Sequence, residues 1–533
     1  MMPTRLSWSS WASLVLLVAA CGGSSASDTG SDGDGGGAQP SGTSSSGTSG
    51  SSGGGQTGTG SSGEDGSVGS ATDASLGAST SSGGGGGDAS GSSGSASSGS
   101  SGSSSGTEGG SAGPDACGAG DPVLAAAGVS EPSLPSSVCR TIQATKSVSA
   151  GGSPSGSTDT SAIQAALDAC GGAAVKLVAN GAHNALLTGP LTIKSTILWV
   201  DAGVTLYAAT GATSTILTVT GTGAGIVGDG TIDGQGSGYW SKPPGPTLIE
   251  ATGSKFVMYR ITLHDAPGFH VKVTGDHFVI WGTTLQTPST GTGGQTPATA
   301  HNTDGIDPGA GAHAATSYGY IVCNTISVGD DMIAIKGGTN GPVSHLTIAH
   351  NHFGAGHGMS IGSETGPGGV SDVNVYDLTI DGSVFPGASA ANANGIRIKS
   401  YQGAGGLVDR ITYQDICTRN LANPILLEPN YTAGTVTGGG TPQFTNIDVR
   451  DFHDLSTTSV KPVVTLDGYD SSHESTVTLD NVVVDGNPTV TSSNATITFG
   501  SGGANFTVPG ATSSGTPSPI DCSNRWVTFP VTF

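Results

Sequence analysis

Beyond Cys139 the chain is written almost entirely in a two-residue period. Val, Ile and Thr alternate with polar residues in runs of four to seven, punctuated by Gly, Asn and Asp, which is the pattern of short strands. One segment departs from it. Thr158-Asp159-Thr160 stands as a cap before Ser161-Ala162-Ile163-Gln164-Ala165-Ala166-Leu167-Asp168-Ala169, with Gly171 and Gly172 closing it, and predicts one short helix.

The strand runs repeat. Taking the first apolar residue of each similar run gives Phe256, Phe278, Tyr320, Leu346, Val373, Ile411, Ile447 and Val477, with gaps of 22, 42, 26, 27, 38, 36 and 30 residues. A β-type unit of this length, with loops inserted in some turns, is the signature of a solenoid. The fixed Leu and Asn pattern of a leucine-rich repeat is missing, and a propeller blade needs four strands in about 40 residues. The expected fold is all-β: a single-stranded right-handed parallel β-helix with one short N-terminal capping helix.

A second ladder carries the scarce charged residues. Asn302-Thr303-Asp304-Gly305-Ile306, Gly329-Asp330-Asp331-Met332-Ile333, Gly356-His357-Gly358-Met359 and Asn394-Gly395-Ile396-Arg397-Ile398-Lys399 align on Ile306, Ile333, Met359 and Ile396, spaced 27, 26 and 37 residues apart. Two places before each anchor stand Asp304, Asp331, His357 and Asn394. Successive turns of a parallel β-helix lie about 4.8 Å apart, so this register stacks Asp304 under Asp331 and Asp331 under His357. Asp330 adds a third acid. Carboxyl groups this close push at least one of their pKa values upward, which suits a group that must hold a proton. Arg397 and Lys399, at i and i+2, share a face and set a basic site beside the acidic one. Singly, Asp-Asp and Asn-x-Asp serve as turn caps or surface ladders, His357 as a surface histidine, and Arg397 and Lys399 as solvated strand residues. All four motifs at one solenoid period point to chemistry.

Composition sets the surroundings. Residues 21–115 are almost wholly Gly, Ser, Thr and Ala and read as a flexible tether with a reach of about 50 to 60 Å. The remaining segment, 116–533, is long enough to bury about three quarters of its unfolded surface as one domain. The formal net charge is −22, of which the tether contributes −9 and the 116–533 segment −14, with 16 basic against 30 acidic residues. An acidic surface of this kind repels phosphate backbones and excludes nucleic acid as a partner class. Residues 1–20 read as an export signal, with Arg5, an apolar run from Ala12 to Ala20 too short to span a bilayer, and Val18-Ala19-Ala20-Cys21, the small-residue pattern before a lipid-modified cysteine. Acyl chains on Cys21 would anchor an exported protein at the cell surface or outer membrane; Gly22 after the cysteine argues against retention at an inner membrane. Six further cysteines form an even set in an exported chain, so disulfides are expected, with Cys139–Cys170 the preferred bridge among fifteen connectivities. None has zinc-ligand spacing, and no metal or organic cofactor is expected. A monomer is expected.

In this order, Asn302-Thr303-Asp304, Gly329-Asp330-Asp331, Gly356-His357-Gly358 and Arg397-Ile398-Lys399 resemble the four signatures of the polygalacturonases, glycoside hydrolase family 28. Thr160-Ser161-Ala162-Ile163-Gln164-Ala165-Ala166, Leu187-Thr188-Gly189-Pro190-Leu191 and Gly230-Thr231-Ile232-Asp233-Gly234-Gln235-Gly236 resemble that family's opening segments, so the likeness covers about Cys139 to Tyr431. The resemblance implies hydrolysis of the α-1,4 bonds of polygalacturonate with inversion, Asp330 being the general acid and Asp304 with Asp331 activating the water. It further implies that His357 supports the acid or binds sugar, that Asn302 orients neighbouring groups, that Arg397 and Lys399 grip a galacturonate carboxylate, and that Tyr431 of Glu428-Pro429-Asn430-Tyr431 contacts substrate. Two segments depart from the family pattern, Ala179 in place of a proline and Ala266-Pro267-Gly268-Phe269-His270 in place of a Ser-Pro-aromatic turn. Pectate lyases share the β-helix but use calcium and an arginine base. The alternatives are a rhamnogalacturonan or other pectin hydrolase of the same fold, and a surface carbohydrate-binding protein without turnover, in which loss of one of the three aspartates would be expected.

Overall fold

The computed structural model describes residues 117–532, apart from 241–244, 311–314, 339–340, 386–393, 432–439 and 456–460. The expected export signal, Cys21 and the tether lie outside the described residues. Within them the alternating pattern becomes two large parallel sheets, one of 19 strands and one of 11, wound into a right-handed β-helix. The 11-stranded sheet carries the charged ladder. Its strands are β1 (Leu191–Lys194), β2 (Leu217–Thr220), β3 (Ile249–Ala251), β4 (Val271–Val273), β5 (Ile306–Pro308), β6 (Ile333–Ile335), β7 (Met359–Ile361), β8 (Asn394–Lys399), β9 (Asn423–Glu428), β10 (Val463–Asp467) and β11 (Thr489–Ser493), each paired in parallel with the next.

The 19-stranded sheet wraps the remaining faces, and one of its corners recurs from Arg260 to Asn481. At that corner a single residue takes the left-handed conformation: Arg260, Gly282, Cys323, His350, Asp377, Asp415, Asp451 and Asn481, all with φ between 48° and 66° or so. No β-branched residue occupies the position, because a branched Cβ collides with its own backbone there. The two ends of the described chain are fastened to these corner residues or, at Cys417, two residues beyond the corner at Asp415. Cys117 bonds Cys323, Asp121 meets His350 at 2.8 Å, Cys522 bonds Cys417, and Arg525 pairs with Asp377 and Asp415.

The interior is a stack of aligned apolar files. Phe256 lies over Phe278, and Leu346, Val373, Ile411, Ile447 and Val477 continue the same file. The sequence reading put Tyr320 in this file, but the register gives the place to Gly319. A Cβ at 319 would stand 2.1 Å from Cζ of Phe278, so the ring of one coil fills the space that a side chain on the next would need.

Among the described residues two α-helices are present where one was expected. The expected one, α2 (Thr160–Ala169), buries Ile163 and Leu167 over the first coil and packs on β1. Asp159 sits at its N-cap without capping it. Its carboxylate instead accepts from Thr145 Oγ1 at 2.9 Å and Leu187 N at 2.9 Å, and pairs with Lys146 at 3.1 Å. The Cys139–Cys170 disulfide ties the helix end to the strand Val138–Gln143, as preferred from sequence. The other, α1 (Pro122–Ala126), is a single turn too short to show a period. Asp121 caps it, accepting from Val123 N and Leu124 N, and Leu124 is buried beside Tyr259 and Trp281.

Candidate functional site

The register inferred for the charged ladder is the one observed. Ile306 pairs with Ile333, Ile333 with Met359, and Met359 with Ile396. The four anchors are buried in the core, so alternation turns Asp307, Ala334, Ser360 and Arg397 onto the outer face as one file. Ahead of the anchors the backbone still pairs. Gly305 N donates to Asp331 O at 2.9 Å and His357 N to Asp330 O at 2.9 Å, which holds Asp304, Asp331 and His357 on consecutive coils. Gly358 is required at its place: φ is +92°, and a Cβ would fall 2.2 Å from Gly395 O.

The three aspartates are buried together, and their surroundings differ. Asp330 Oδ1 lies 2.9 Å from His357 Nδ1 and accepts from Asp331 N, while Asp330 Oδ2 accepts from Asn302 N at 3.2 Å. Burial alone would raise the Asp330 carboxyl. The neighbouring His357 charge and hydrogen bond overcome this and hold it far below the usual carboxylate range. In return His357, which burial would discharge, is raised above the usual imidazole value by Asp330. One proton therefore rests between them, on the imidazole side. Asp304 has the opposite setting: burial first, then the Asp330 charge, raises it well above the carboxylate range, and its Oδ1 has no partner. Asp331 accepts from Ser360 Oγ at 2.7 Å and has Lys399 Nζ 3.1 Å from its Oδ2.

Arg397 and Lys399 do share a face, but they are engaged differently. Lys399, 2% exposed, is held against Asp331. Arg397 lies 4.0 Å from Asp331 and 3.9 Å from Glu428, and its Nε has no partner. The Tyr431 ring lies under both cations, 4.9 Å from each, and Tyr431 N donates to Ser400 O. All eight site residues expected from sequence are thus found on or beside β5 to β9.

Several residues that sequence reasoning missed complete the site. Ser360 lies between Ala334 and Arg397 in register and was hidden because a lone serine carries no signal. His270, in the segment noted above as a departure, is fully buried and neutral, its pKa pulled down to about 4 by burial. Its ring and backbone nitrogens both reach Asp304 O, fixing that aspartate's backbone. Asp307 is buried with neither oxygen partnered, and burial pushes its carboxyl up to about 7. Lys336 lies 3.4 Å from Glu364 and within reach of the field of Asp304, Asp307, Asp330 and Asp331. Unpartnered buried carboxyl oxygens cost on the order of 1 to 3 kcal/mol each, a loss that packing alone would not retain. One ligand atom each from Asp330, Asp331 and His357 lies within 4.8 Å of the others, close enough for a cation. Lys399 and the His357 hydrogen bond already compensate those oxygens.

Residues 181–502 match the family described as Glycosyl hydrolases family 28. A polygalacturonase of Ralstonia nicotianae is 38% identical over 510 residues, spanning 76% of this chain and 93% of that protein. An endo-polygalacturonase of Pectobacterium carotovorum subsp. carotovorum is 35% identical over 412 residues, spanning 69% and 92%. Among solved structures, the polygalacturonase from Erwinia carotovora ssp. carotovora superposes with a TM-score of 0.58 at 33% identity, over 69% of this chain and 98% of its own. With the β-helix, the ladder of acids and these matches pointing the same way, the chain belongs to glycosyl hydrolase family 28.

Proposed function

We propose that this glycosidase hydrolyses the α-1,4-galacturonosidic bonds of polygalacturonate with inversion. The observation that carries the substrate class is Arg397, a buried guanidinium with an unspent Nε and only loose partners, beside Lys399 on the floor of an otherwise acidic site. Such a fork is a receptor for a carboxylate that the protein itself does not supply. Asn302 and Tyr431 border the same receptor and the acids.

In the reaction, Asp330 hands a proton to the glycosidic oxygen, and His357 is the store from which that proton is drawn across the 2.9 Å contact. Asp331, already oriented by Ser360 and Lys399, takes the proton of the attacking water, and Asp304 orients that water from the neighbouring coil. The water attacks the anomeric carbon on the face opposite the departing oxygen, with no covalent intermediate. Asp330 and Asp331 approach within 4.8 Å, closer than the roughly 6.5 to 9.5 Å that inverting pairs usually leave. The anomer therefore decides between water attack and attack by a carboxylate. Proton NMR of the first product should show the β-anomer. The α-anomer would overturn inversion, and no reducing sugar released from polygalacturonate between pH 4 and 8 would overturn the substrate.

The location is part of the same proposal. Export with an acyl anchor on Cys21 and a Gly/Ser tether would let the hydrolase reach insoluble polysaccharide from a cell surface. A Cys21→Ser protein should then be found in the soluble fraction and the native protein in detergent; equal partition would refute the anchor.

A further inference from the structure

Polygalacturonate carries a carboxylate on every sugar, whereas Arg397 and Lys399 form one receptor on β8. The residues bound next to it must lay their own charges over a floor holding Asp304, Asp307, Asp330 and Asp331. Lys336 follows β6, the strand that begins just after Asp330 and Asp331. The register carries Lys336 onto Gly362 and Gly362 onto Lys399, so the two lysines share one outward file two coils apart, about 9.5 Å at the spacing of parallel strands. The coil between them has no side chain in that file. A Cβ on Gly362 would strike Lys399 O at 1.9 Å.

Lys336 is also the more accessible of the two. Its side chain is 16% exposed, against 2% for Lys399, and it pairs with Glu364, itself 49% exposed and 3.4 Å away. Lys399 is committed to the buried Asp331, whereas Lys336 is matched to a carboxylate at the water's edge that an incoming carboxylate can displace. We propose that Lys336 is a second receptor for substrate carboxylate, taking the galacturonate next along the chain from the one held by Arg397 and Lys399, with Glu364 as the group that occupies it in the empty site. This rests on the reading of the site as a polygalacturonate hydrolase.

The test uses the full chain with polygalacturonate and with highly methyl-esterified pectin. Lys336→Met should raise KM on polygalacturonate about 10-fold, the scale of one charge-assisted hydrogen bond. It should leave kcat within about threefold, have a much smaller effect on the esterified polymer, and be partly rescued in Lys336→Arg. Glu364→Gln should lower KM about two- to fivefold, and that gain should vanish in the Lys336→Met background. A fall in kcat with a shifted pH profile and unchanged KM would make Lys336 an electrostatic support for the acids and overturn the proposal. So would a Glu364→Gln protein whose KM is unchanged or raised, a result that decides the matter even where Lys336→Met fails to fold. Arg397→Ala is the control: if it raises KM while the Lys336 variants do not, the hydrolase reading stands and this one falls. A wild-type protein inactive on polygalacturonate removes both.

Discussion

Arg397 and Lys399 look interchangeable in sequence, and removing either would be expected to weaken substrate binding alike. The geometry separates them. Lys399 is 2% exposed and its ammonium lies 3.1 Å from an Asp331 that is 1% exposed. At an effective dielectric of about 20 two unit charges at that separation attract by roughly 5 kcal/mol, and removing one partner of a buried pair costs about 3 to 5 kcal/mol because the other is left uncompensated. Lys399→Met should therefore lose about that much folding stability. In a folded body of roughly 400 residues, with an unfolding entropy of about 2 cal/mol/K per residue, this lowers Tm by about 3 to 6 °C. Turnover should fall with it, because Asp331 would lose the ammonium that holds it in place. Arg397→Ala, whose nearest acidic oxygens are 3.9 and 4.0 Å away, should keep stability within about 1 kcal/mol and raise KM. The assay is urea unfolding of both variants beside steady-state kinetics, with Lys399→Met/Asp331→Asn as the check. Removing the orphaned charge should recover most of the stability and none of the activity. A Lys399→Met protein as stable as wild type, differing only in KM, would refute the reasoning.

Other outcomes follow from the same structure. Asp330→Asn should lower kcat at least 10²-fold in a folded protein with KM little changed, and the wild-type rate should fall as pH rises through the raised His357 pKa, when the stored proton is lost; a rate flat from pH 6 to 9 would contradict the store. His350, held between Asp121 and Asp377, has a raised folded pKa from its hydrogen bonds to both, which outweigh its burial. Its stabilising contribution is thus fully present below the unfolded value of about 6.5 and is lost as pH rises through the folded value; denaturant midpoints of wild type and His350→Asn should converge above that range. Asp377, lowered to about 2, contributes in the opposite sense, its share lost as pH falls from about 4 toward 2. Gly319→Ala should destabilise the fold by about 1 to 3 kcal/mol through overpacking against Phe278, with Phe278→Leu relieving it, as read by thermal unfolding.

What could be read from the chain alone was whatever repeats. A solenoid translates sequence period directly into spatial stacking, so the spacing of Ile306, Ile333, Met359 and Ile396 was enough to align Asp304, Asp331 and His357 before any coordinate was known. The same logic slipped by one residue at Tyr320, where the informative residue was Gly319. A file kept open for a neighbouring ring is marked by an absent side chain, and apolar periodicity cannot register an absence. The single turn Pro122–Ala126 and the disulfides Cys117–Cys323 and Cys417–Cys522 were beyond reach for a related reason. They join segments separated by 206 and 105 residues, and no local pattern encodes which coil meets which terminus.

Tertiary structure alone decided the electrostatic surroundings of each acid. In sequence the three aspartates are neighbouring carboxyls of which at least one is expected to hold a proton, with Asp330 set apart as the acid only by the family resemblance. Their separate settings depend on distances of a few ångströms: the His357 nitrogen beside Asp330 lowers its pKa, burial and the Asp330 charge raise that of Asp304, and the Lys399 ammonium is brought to Asp331 by a side chain reaching down from two coils away. Residue type and period determine which groups a β-helix stacks. Coulomb energy and desolvation, which vary steeply with separation and with access to water, determine what each stacked group then does.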